Sequence, residues 1–344
     1  MGFKRFDPED FLVSADSVSS TVWSSNQPTL STFFTSSTQA NDRSGDYYLS
    51  VFQTASSEPN AEVQFDIAYA NSTGGGGLAY NSDVSNISPT ATIYGQYRSM
   101  VLEDENSAFS FGSVEQTSFY VVNVARARYK EKLLPGSLNL ELTGTGAGAS
   151  TLYLTDNSKD VTLPLYYGTQ RAYQIVSGSN GSAYTGSGYA GENGLSTTVG
   201  SYGLFLPDTS TLLLNADALE QNNQYGINLL TTSSANVDAK NPAKLFDRIK
   251  DAGSFKLNCE ETITSDFVFV RARNSEFNYS ENPSFISGST GEVIYPYFID
   301  NPQVYPTTVG LYNDSNELLA VAKLSRPIQK DFTKEALVRV KLDF

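Results

Sequence analysis

The chain has 344 residues, carries 23 basic against 37 acidic side chains, and contains no histidine and one cysteine. Its formal net charge of −14 repels phosphate backbones and anionic surfaces, which argues against a nucleic-acid or membrane partner. Without histidine, no Ser-His-Asp or Cys-His nucleophile pair and no histidine-ligated zinc site can form, and one thiol cannot build a disulfide or a cysteine metal cluster. We therefore predict no catalytic residue, no cofactor and no metal site.

The composition favours β structure. Aromatic residues make up 12% of the chain, with 21 Tyr and 20 Phe, beside abundant Ser, Thr, Asn and Gly. We predict a mainly β, multi-domain protein of antiparallel β-sandwich-like architecture, with one or two short helices and extended terminal arms. The predicted segments are an N-terminal arm over 1–44, a β domain over 45–135, a Gly/Ser/Thr-rich β insertion or second subdomain over 136–240, and a helix plus C-terminal β unit over 241–344, which completes the first domain or forms its own.

The N-terminal segment combines Ser and Thr with aromatic anchors at Phe3, Phe6, Phe11 and Trp23. A disordered arm is normally poor in aromatic residues, so this pattern indicates an extended segment that buries its rings. We predict that these four residues contact another subunit. The alternative is an ordinary first pair of strands within the domain.

Strand-like patterns follow from residue 46. The segments 47–52 and 62–69 alternate with a period of two, and the segments 93–98 and 119–126 continue the strand-like pattern. Within 62–69, one face collects the apolar residues Val63, Phe65, Ile67 and Tyr69. We predict these segments to form the nucleus of a sheet.

Two copies of an Arg-Ala-Arg motif each follow an apolar run. The first pair is Arg126 and Arg128, and the second is Arg271 and Arg273. If the first strand continues, alternation places Arg126, Arg128 and Lys130 on one face. The repeat indicates an ancient duplication or equivalent edges that meet acidic partner surfaces through bidentate pairs. The alternative is ion pairing within the domain.

The middle of the chain offers one hairpin and two helices. A hairpin is predicted within 151–167, where two β-rich runs flank the turn formers that begin at Asp156. A helix is predicted over 207–220, from its leucine stripe. A second is predicted over 241–253, where Asn241 is the predicted cap, Pro242 lies at the first helical position and a glycine ends the helix.

The last forty residues read as a compact β unit. Two β-rich runs, 306–312 and 317–324, flank four consecutive turn formers and predict a hairpin. A final strand alternates apolar and charged residues. This segment holds six basic and five acidic residues, so it is near neutral in an acidic chain. We predict that it docks on another acidic subunit, with apolar packing by Val338, Val340, Leu342 and Phe344 and with Lys and Arg side chains setting the register.

The run Thr308–Lys323, TVGLYNDSNELLAVAK, resembles a module of tailed-phage tail-fibre and baseplate proteins, in which a Gly-Leu-Tyr strand, a polar turn and a Leu-x-Ala-Val strand follow one another. Four further segments look like parts of a virion structural protein of T-even-like contractile-tailed phages that infect cyanobacteria: Phe6–Phe11, Ile93–Arg98, Arg126–Gly136 and Asn274–Ser280. The resemblance implies a place in the particle, in the tail or baseplate. It implies no catalytic residues.

We therefore expect a non-enzymatic structural subunit of a virion, present in several copies, assembled in the host cytoplasm and held by other tail or baseplate proteins. A head or neck component is the structural alternative. Two roles of a different class stay open: a receptor module that binds host surface glycans through Tyr and Trp, and a glycan depolymerase that uses two carboxylates. For the depolymerase, the chain offers Glu103, Asp104, Glu260 and Glu261, which form no recognisable site in the sequence.

Overall fold

The computed structural model describes residues 4–35, 47–76, 88–144, 150–184, 200–220, 240–279 and 282–343. The chain is mainly β, as the composition predicts. It divides into two compact units: unit 1 comprises Met1–Ser17 and Thr262–Phe344, and unit 2 comprises Val18–Glu261. The N-terminal segment therefore does not form one arm, because it is shared between the units.

The strands are β1 (Phe11–Thr21), β2 (Thr29–Leu30), β3 (Phe34–Thr35), β4 (Tyr48–Phe52), β5 (Val63–Asn71), β6 (Phe109–Phe111), β7 (Val114–Gln116), β8 (Ser118–Val124), β9 (Lys132–Leu133), β10 (Asn139–Thr143), β11 (Thr151–Asp156), β12 (Leu165–Tyr167), β13 (Gln170–Ser179), β14 (Ser182–Ala183), β15 (Gly203–Leu206), β16 (Thr211–Asn215), β17 (Phe255–Lys256), β18 (Asn258–Ala272), β19 (Thr308–Tyr312), β20 (Leu318–Lys323) and β21 (Ala336–Asp343). The α-helices are α1 (Pro89–Leu102), α2 (Ala216–Leu219), α3 (Asn241–Ala252) and α4 (Pro296–Asp300), and short 3-10 turns cover Pro8–Asp10 and Arg126–Arg128.

Unit 2 is built on one large antiparallel sheet. Its strand order is β2-β17-β10-β11-β13-β15-β16-β8-β5-β4-β3, with β12 and β14 pairing to β13. The predicted boundary at residue 135 is therefore wrong, because strands from 45–135 and from 136–240 share this sheet. The two segments join where β16 pairs with β8, with Leu213 opposite Val121.

Both faces of this sheet are covered. On one face, Phe65, Ile67 and Tyr69 of β5 enter a core that also holds Phe246 and Ile249 of α3. The shared face predicted for 62–69 is thus confirmed for these three residues, while Val63, beside a register irregularity, is not part of this core. The opposite face forms a second apolar cluster with α1, in which rings of α1, β6 and β8 pack edge to face or tilted. Burial of both faces explains the continuous apolar runs 119–122 in β8 and 212–214 in β16.

Two predicted elements have a different structure. The segment 93–98 is helical and lies within α1. Ser88 caps this helix, because its side chain accepts a hydrogen bond from the Ala91 amide, and Pro89 occupies the first helical position. The segment 207–220 begins with a turn, continues as the strand β16 and ends in the single helical turn α2. A continuous run of leucines fits a strand buried on both faces as well as a helix, and sheet pairing decides between them here.

The helix predicted over 241–253 is confirmed as α3, which ends at Gly253 in a left-handed conformation with φ of 73°. Asn241 is the first residue of the helix and not its cap, and its side-chain amide donates to the Gly76 carbonyl at 3.0 Å. Lys240 occupies the capping position without a side-chain cap bond. The hairpin predicted within 151–167 does not form. Its first strand, β11, pairs with β10 and β13, and β12 also pairs with β13.

Unit 1 is a small two-layer β structure. The hairpin predicted within 306–324 is confirmed as β19 and β20, and the final strand is confirmed as β21. Strand β21 pairs with β18 along its whole length, from Ala336 opposite Ala272 to Asp343 opposite Ser265. The hairpin packs on this sheet through a third apolar cluster.

The segment between β18 and β19 contains α4 and is fixed from inside unit 1 by a buried lysine. Lys330 is 0% exposed, and its ammonium group donates to the side-chain carbonyl of Asn278 at 2.7 Å and to the backbone carbonyl of Asn274 at 3.3 Å. Its backbone also exchanges two 2.9 Å hydrogen bonds with Val304. Burial lowers the pKa of Lys330.

Candidate interaction surfaces

The terminal strand β21 has two different faces. Val338, Val340 and Leu342 point into unit 1, where they pack with Val268 and with Leu311 of the hairpin. The prediction that these three side chains dock on another subunit is therefore corrected: their apolar surface is used by the chain's own hairpin. Phe344, the fourth residue of that set, lies outside the described residues.

The opposite face of the same strands carries aromatic and basic groups. Lys341 lies opposite Phe267, and Arg339 lies opposite Phe269. The guanidinium of Arg339 is 5.4 Å and the ammonium of Lys341 is 5.8 Å from the centre of the Phe267 ring. Such cation–π contacts hold long side chains along the sheet. Arg271, a predicted interface residue, is exposed on this face opposite Leu337, and we call the set Phe267, Phe269, Arg271, Arg339 and Lys341 the basic face.

The hairpin presents an exposed apolar surface on the side that faces away from the unit 1 core. Ala320 and Ala322 pack inward, while Leu319 and Val321 are 68% and 57% exposed. Leu318 and Tyr312 are exposed beside them. We call Tyr312, Leu318, Leu319 and Val321 the hairpin apolar face. The sequence carries a signal for it, because the run Leu318–Ala322 is apolar on both faces of a strand, which a solvent-facing hairpin does not require.

Arg273, the other residue of the second motif, is exposed just after β18. Its backbone amide donates to Glu276 at 2.9 Å, and the Lys4 ammonium donates to the same carboxylate at 3.0 Å and to the Arg271 carbonyl at 2.8 Å. These contacts fasten residue 4 to the end of β18 within unit 1. The backbone bond from Arg273, followed by the Lys4 contact, lowers the pKa of Glu276.

Arg126 and Arg128 form a 3-10 turn after β8, so the strand does not continue and the predicted common face with Lys130 is absent. Arg126 donates to the carbonyls of Tyr129 and Lys130 and stacks over the Tyr129 ring at 4.7 Å. Arg128 pairs with Glu62 at 2.6 Å. Both arginines thus make contacts within unit 2, and for Arg128 the contact is the ion pair within the domain that was the alternative. The two Arg-Ala-Arg motifs differ in conformation.

The aromatic anchors of the N-terminal segment also separate. Trp23 is 1% exposed and lies 4.9 Å from Phe255, ring centre to ring centre, so its predicted role at a subunit surface is wrong. Phe6 packs against the unit 1 core and meets the Phe11 ring edge to face at 5.3 Å. Phe11 itself is half exposed. Phe3 lies outside the described residues.

The four carboxylates considered for a depolymerase lie at a helix end, in a turn and in a strand ladder, and they do not form one site. Glu103 ends α1 in a left-handed conformation, and Asp104 accepts hydrogen bonds from the turn that follows. Glu260 lies opposite Lys132 in the strand ladder, and Glu261 pairs with Lys130 at 2.7 Å. The described residues contain no group of three or more acidic or cysteine side chains arranged to hold a metal ion. None of their helices has the length and apolarity needed to cross a membrane.

Comparison with known proteins identifies no relative of the chain. No protein-family model, curated protein or solved structure matches the chain.

Proposed function

We propose that the chain is a structural subunit of a bacteriophage virion, of the tail or baseplate, and that it acts through protein–protein interfaces and not as an enzyme. The hairpin apolar face is the observation that supports this proposal most directly. It lies on Thr308–Lys323, the segment that resembles a module of tail-fibre and baseplate proteins. An exposed cluster of large apolar side chains on a small unit is typical of a surface that another protein covers.

The basic face supplies a second contact with a different physical character. Its three cations lie on a chain whose net charge is −14, so they are attracted to an acidic surface on a neighbouring subunit. Phe267 holds two of these cations along the sheet, which reduces the entropy lost when they pair with carboxylates. On this proposal, the hairpin apolar face supplies affinity and the basic face supplies orientation.

The test is incorporation of variants into particles of the phage that encodes the chain. Changing both Leu319 and Val321 to serine removes the exposed apolar surface and leaves Ala320 and Ala322 in the unit 1 core. We expect incorporation to fall at least tenfold while the purified variant keeps the melting temperature of the parent. The matched control is Leu163→Ser, which changes a 77% exposed leucine in unit 2. Incorporation of the double variant at the parental copy number would contradict the proposal.

A glycan depolymerase is the rival from another class. Cleavage of a polysaccharide by the purified chain, abolished by a single carboxylate change such as Glu260→Gln, would contradict the non-enzymatic role. We expect no cleavage.

A further inference from the structure

Unit 2 contains a cleft that the architectural role does not use. It has a volume of about 360 Å³ and lies where β4, β5 and β8 meet one side of α1. Ala68 and Val121 form apolar parts of its lining, and Ile93, Gln96 and Tyr97 come from the helix. A volume of this size is at the lower end of that of small-ligand sites.

A row of polar side chains crosses the sheet at this cleft. Ser50, Asp66, Asn123 and Thr211 lie opposite one another on four neighbouring strands, β4, β5, β8 and β16. The Ser50 hydroxyl donates to Oδ1 of Asp66 at 2.6 Å, and the Thr211 hydroxyl donates to Oδ1 of Asn123 at 3.2 Å. We call these four residues the polar row.

The hydrogen bonds within the polar row fix two of its members that line the cleft. Each bond engages Oδ1 and orients the rest of the group, which leaves the second oxygen of Asp66 and the amide nitrogen of Asn123 without a hydrogen-bond partner among the residues that the structure describes. An acceptor and a donor are thus held on adjacent strands, whose backbones lie about 4.8 Å apart. Such a pair matches the hydroxyl groups of a single sugar ring, because each hydroxyl group can both donate and accept a hydrogen bond.

Three tyrosines complete the lining: Tyr47, Tyr48 and Tyr97. Tyr48 is 46% exposed, so its ring is accessible to a ligand. Burial, and then the charge of Asp66, raise the pKa of Tyr97, so its phenol stays protonated at neutral pH and keeps a proton to donate. Burial raises the pKa of Asp66 despite the Ser50 hydrogen bond. Tyrosine rings offer flat apolar faces together with a polar edge.

The charge of the cleft narrows the class of ligand. The residues described in its lining include the carboxylate of Asp66 and no lysine or arginine, so a phosphate or carboxylate ligand meets a repulsive site. A neutral polyol with an apolar face matches the tyrosine rings, the amides of Gln96 and Asn123, and the single acceptor of Asp66. An organic cation matches only the carboxylate and the rings.

We propose that this cleft binds one ring of a neutral saccharide, with Tyr48 and Tyr97 against the sugar and with Asp66 and Asn123 bonded to its hydroxyl groups. The cleft then acts as a glycan-recognition site on unit 2. This role goes beyond the structural function proposed for the chain, and either can fail without the other.

The test is saturation-transfer NMR on the full chain with glucose, galactose, mannose and N-acetylglucosamine as separate probes at millimolar concentrations. We expect at least one of them to receive magnetisation, and we expect Tyr48→Ala and Asp66→Asn each to weaken its binding at least tenfold. Asp66→Asn keeps the shape of the side chain, and Tyr48 is partly exposed, so both variants should melt within a few degrees of the parent. Tyr153→Ala, at an exposed tyrosine on β11 outside the lining, is the matched control and should bind as the parent does.

Three results would overturn the inference. They are an absence of binding with all four sugars, binding that both cleft variants leave unchanged, and binding of tetramethylammonium at concentrations where no sugar binds. The last result would identify the cleft as a site for an organic cation.

Discussion

The buried lysine of unit 1 gives the sharpest prediction about stability. Lys330→Met keeps an unbranched apolar stem of four heavy atoms but removes the ammonium group, which leaves Oδ1 of Asn278 without its 2.7 Å donor. A hydrogen bond that involves a charged group contributes about 1.5–3 kcal/mol, and the 3.3 Å bond to Asn274 adds little to this. The variant avoids the cost of burying a cation, which offsets part of the loss. We expect a net loss of about 2 kcal/mol in the free energy of unfolding.

The assay is urea denaturation followed by circular dichroism. With a denaturant dependence of about 2 kcal/mol per molar urea, a loss of this size lowers the midpoint by about 1 M. Lys323→Met, at an exposed lysine of β20, is the matched control and should leave the midpoint within about 0.2 M. A Lys330 variant as stable as the parent would refute the reasoning, because the ammonium would then not be holding residues 274–278.

Two further predictions concern unit 1. Val340→Ala removes two methylene-sized groups from the unit 1 core and should lower the free energy of unfolding, measured by urea denaturation, by about 1.5–2.5 kcal/mol. Leu337→Ala, on the opposite and exposed face of β21, should lower it by less than about 0.5 kcal/mol. Equal effects of the two changes would contradict the assignment of one buried and one exposed face to β21. Bonds from Arg273 and Lys4 hold the pKa of Glu276 below 4.5, so the contribution of this carboxylate to stability is fully present above pH 4.5 and is lost as the pH falls through the lower folded-state pKa. When stability is measured against pH, Glu276→Gln should therefore differ from the parent above pH 4.5 and converge with it below the folded-state pKa. A difference that stays constant with pH would contradict the contact.

The sequence predicted the parts of the fold that depend on local signals. The hairpin of β19 and β20 follows from four turn formers between two β-rich runs, and α3 follows from Pro242 near its start and Gly253 at its end. The alternation of β21 also predicted which side chains share its apolar face. These elements carry their own boundaries and periods, so no knowledge of neighbouring strands is needed to identify them.

The errors arise where tertiary pairing overrides local pattern. The leucine run of β16 satisfies a helix stripe, but the sheet buries it on both faces between β8 and β15. Residues 93–98 are predicted to be part of a strand, but Ser88 and Pro89 start a helix before them. Strand β11 pairs with β10 before it and with β13 after it, and the turn formers at Asp156 identify neither partner.

The candidate surfaces were predicted only in part. The sequence predicted interface residues from their type alone, as aromatic or basic side chains, and these residues have different environments in the structure. Trp23 is buried and Arg128 is ion-paired within unit 2, whereas Arg271 is exposed on the basic face. The polar row in unit 2 could not be predicted, because Asp66 and Asn123 are brought together only by the register of β5 and β8. The polar row is recognised only when the register of β4, β5, β8 and β16 is known.

The most direct test of the proposed role is quantitative mass spectrometry of purified, intact phage particles, followed by separation of tails from heads. We predict that the chain is present at a fixed copy number consistent with the symmetry of the tail and that it fractionates with the tail and baseplate proteins. Its absence from washed particles, with the chain recovered only from the lysate, would contradict the account.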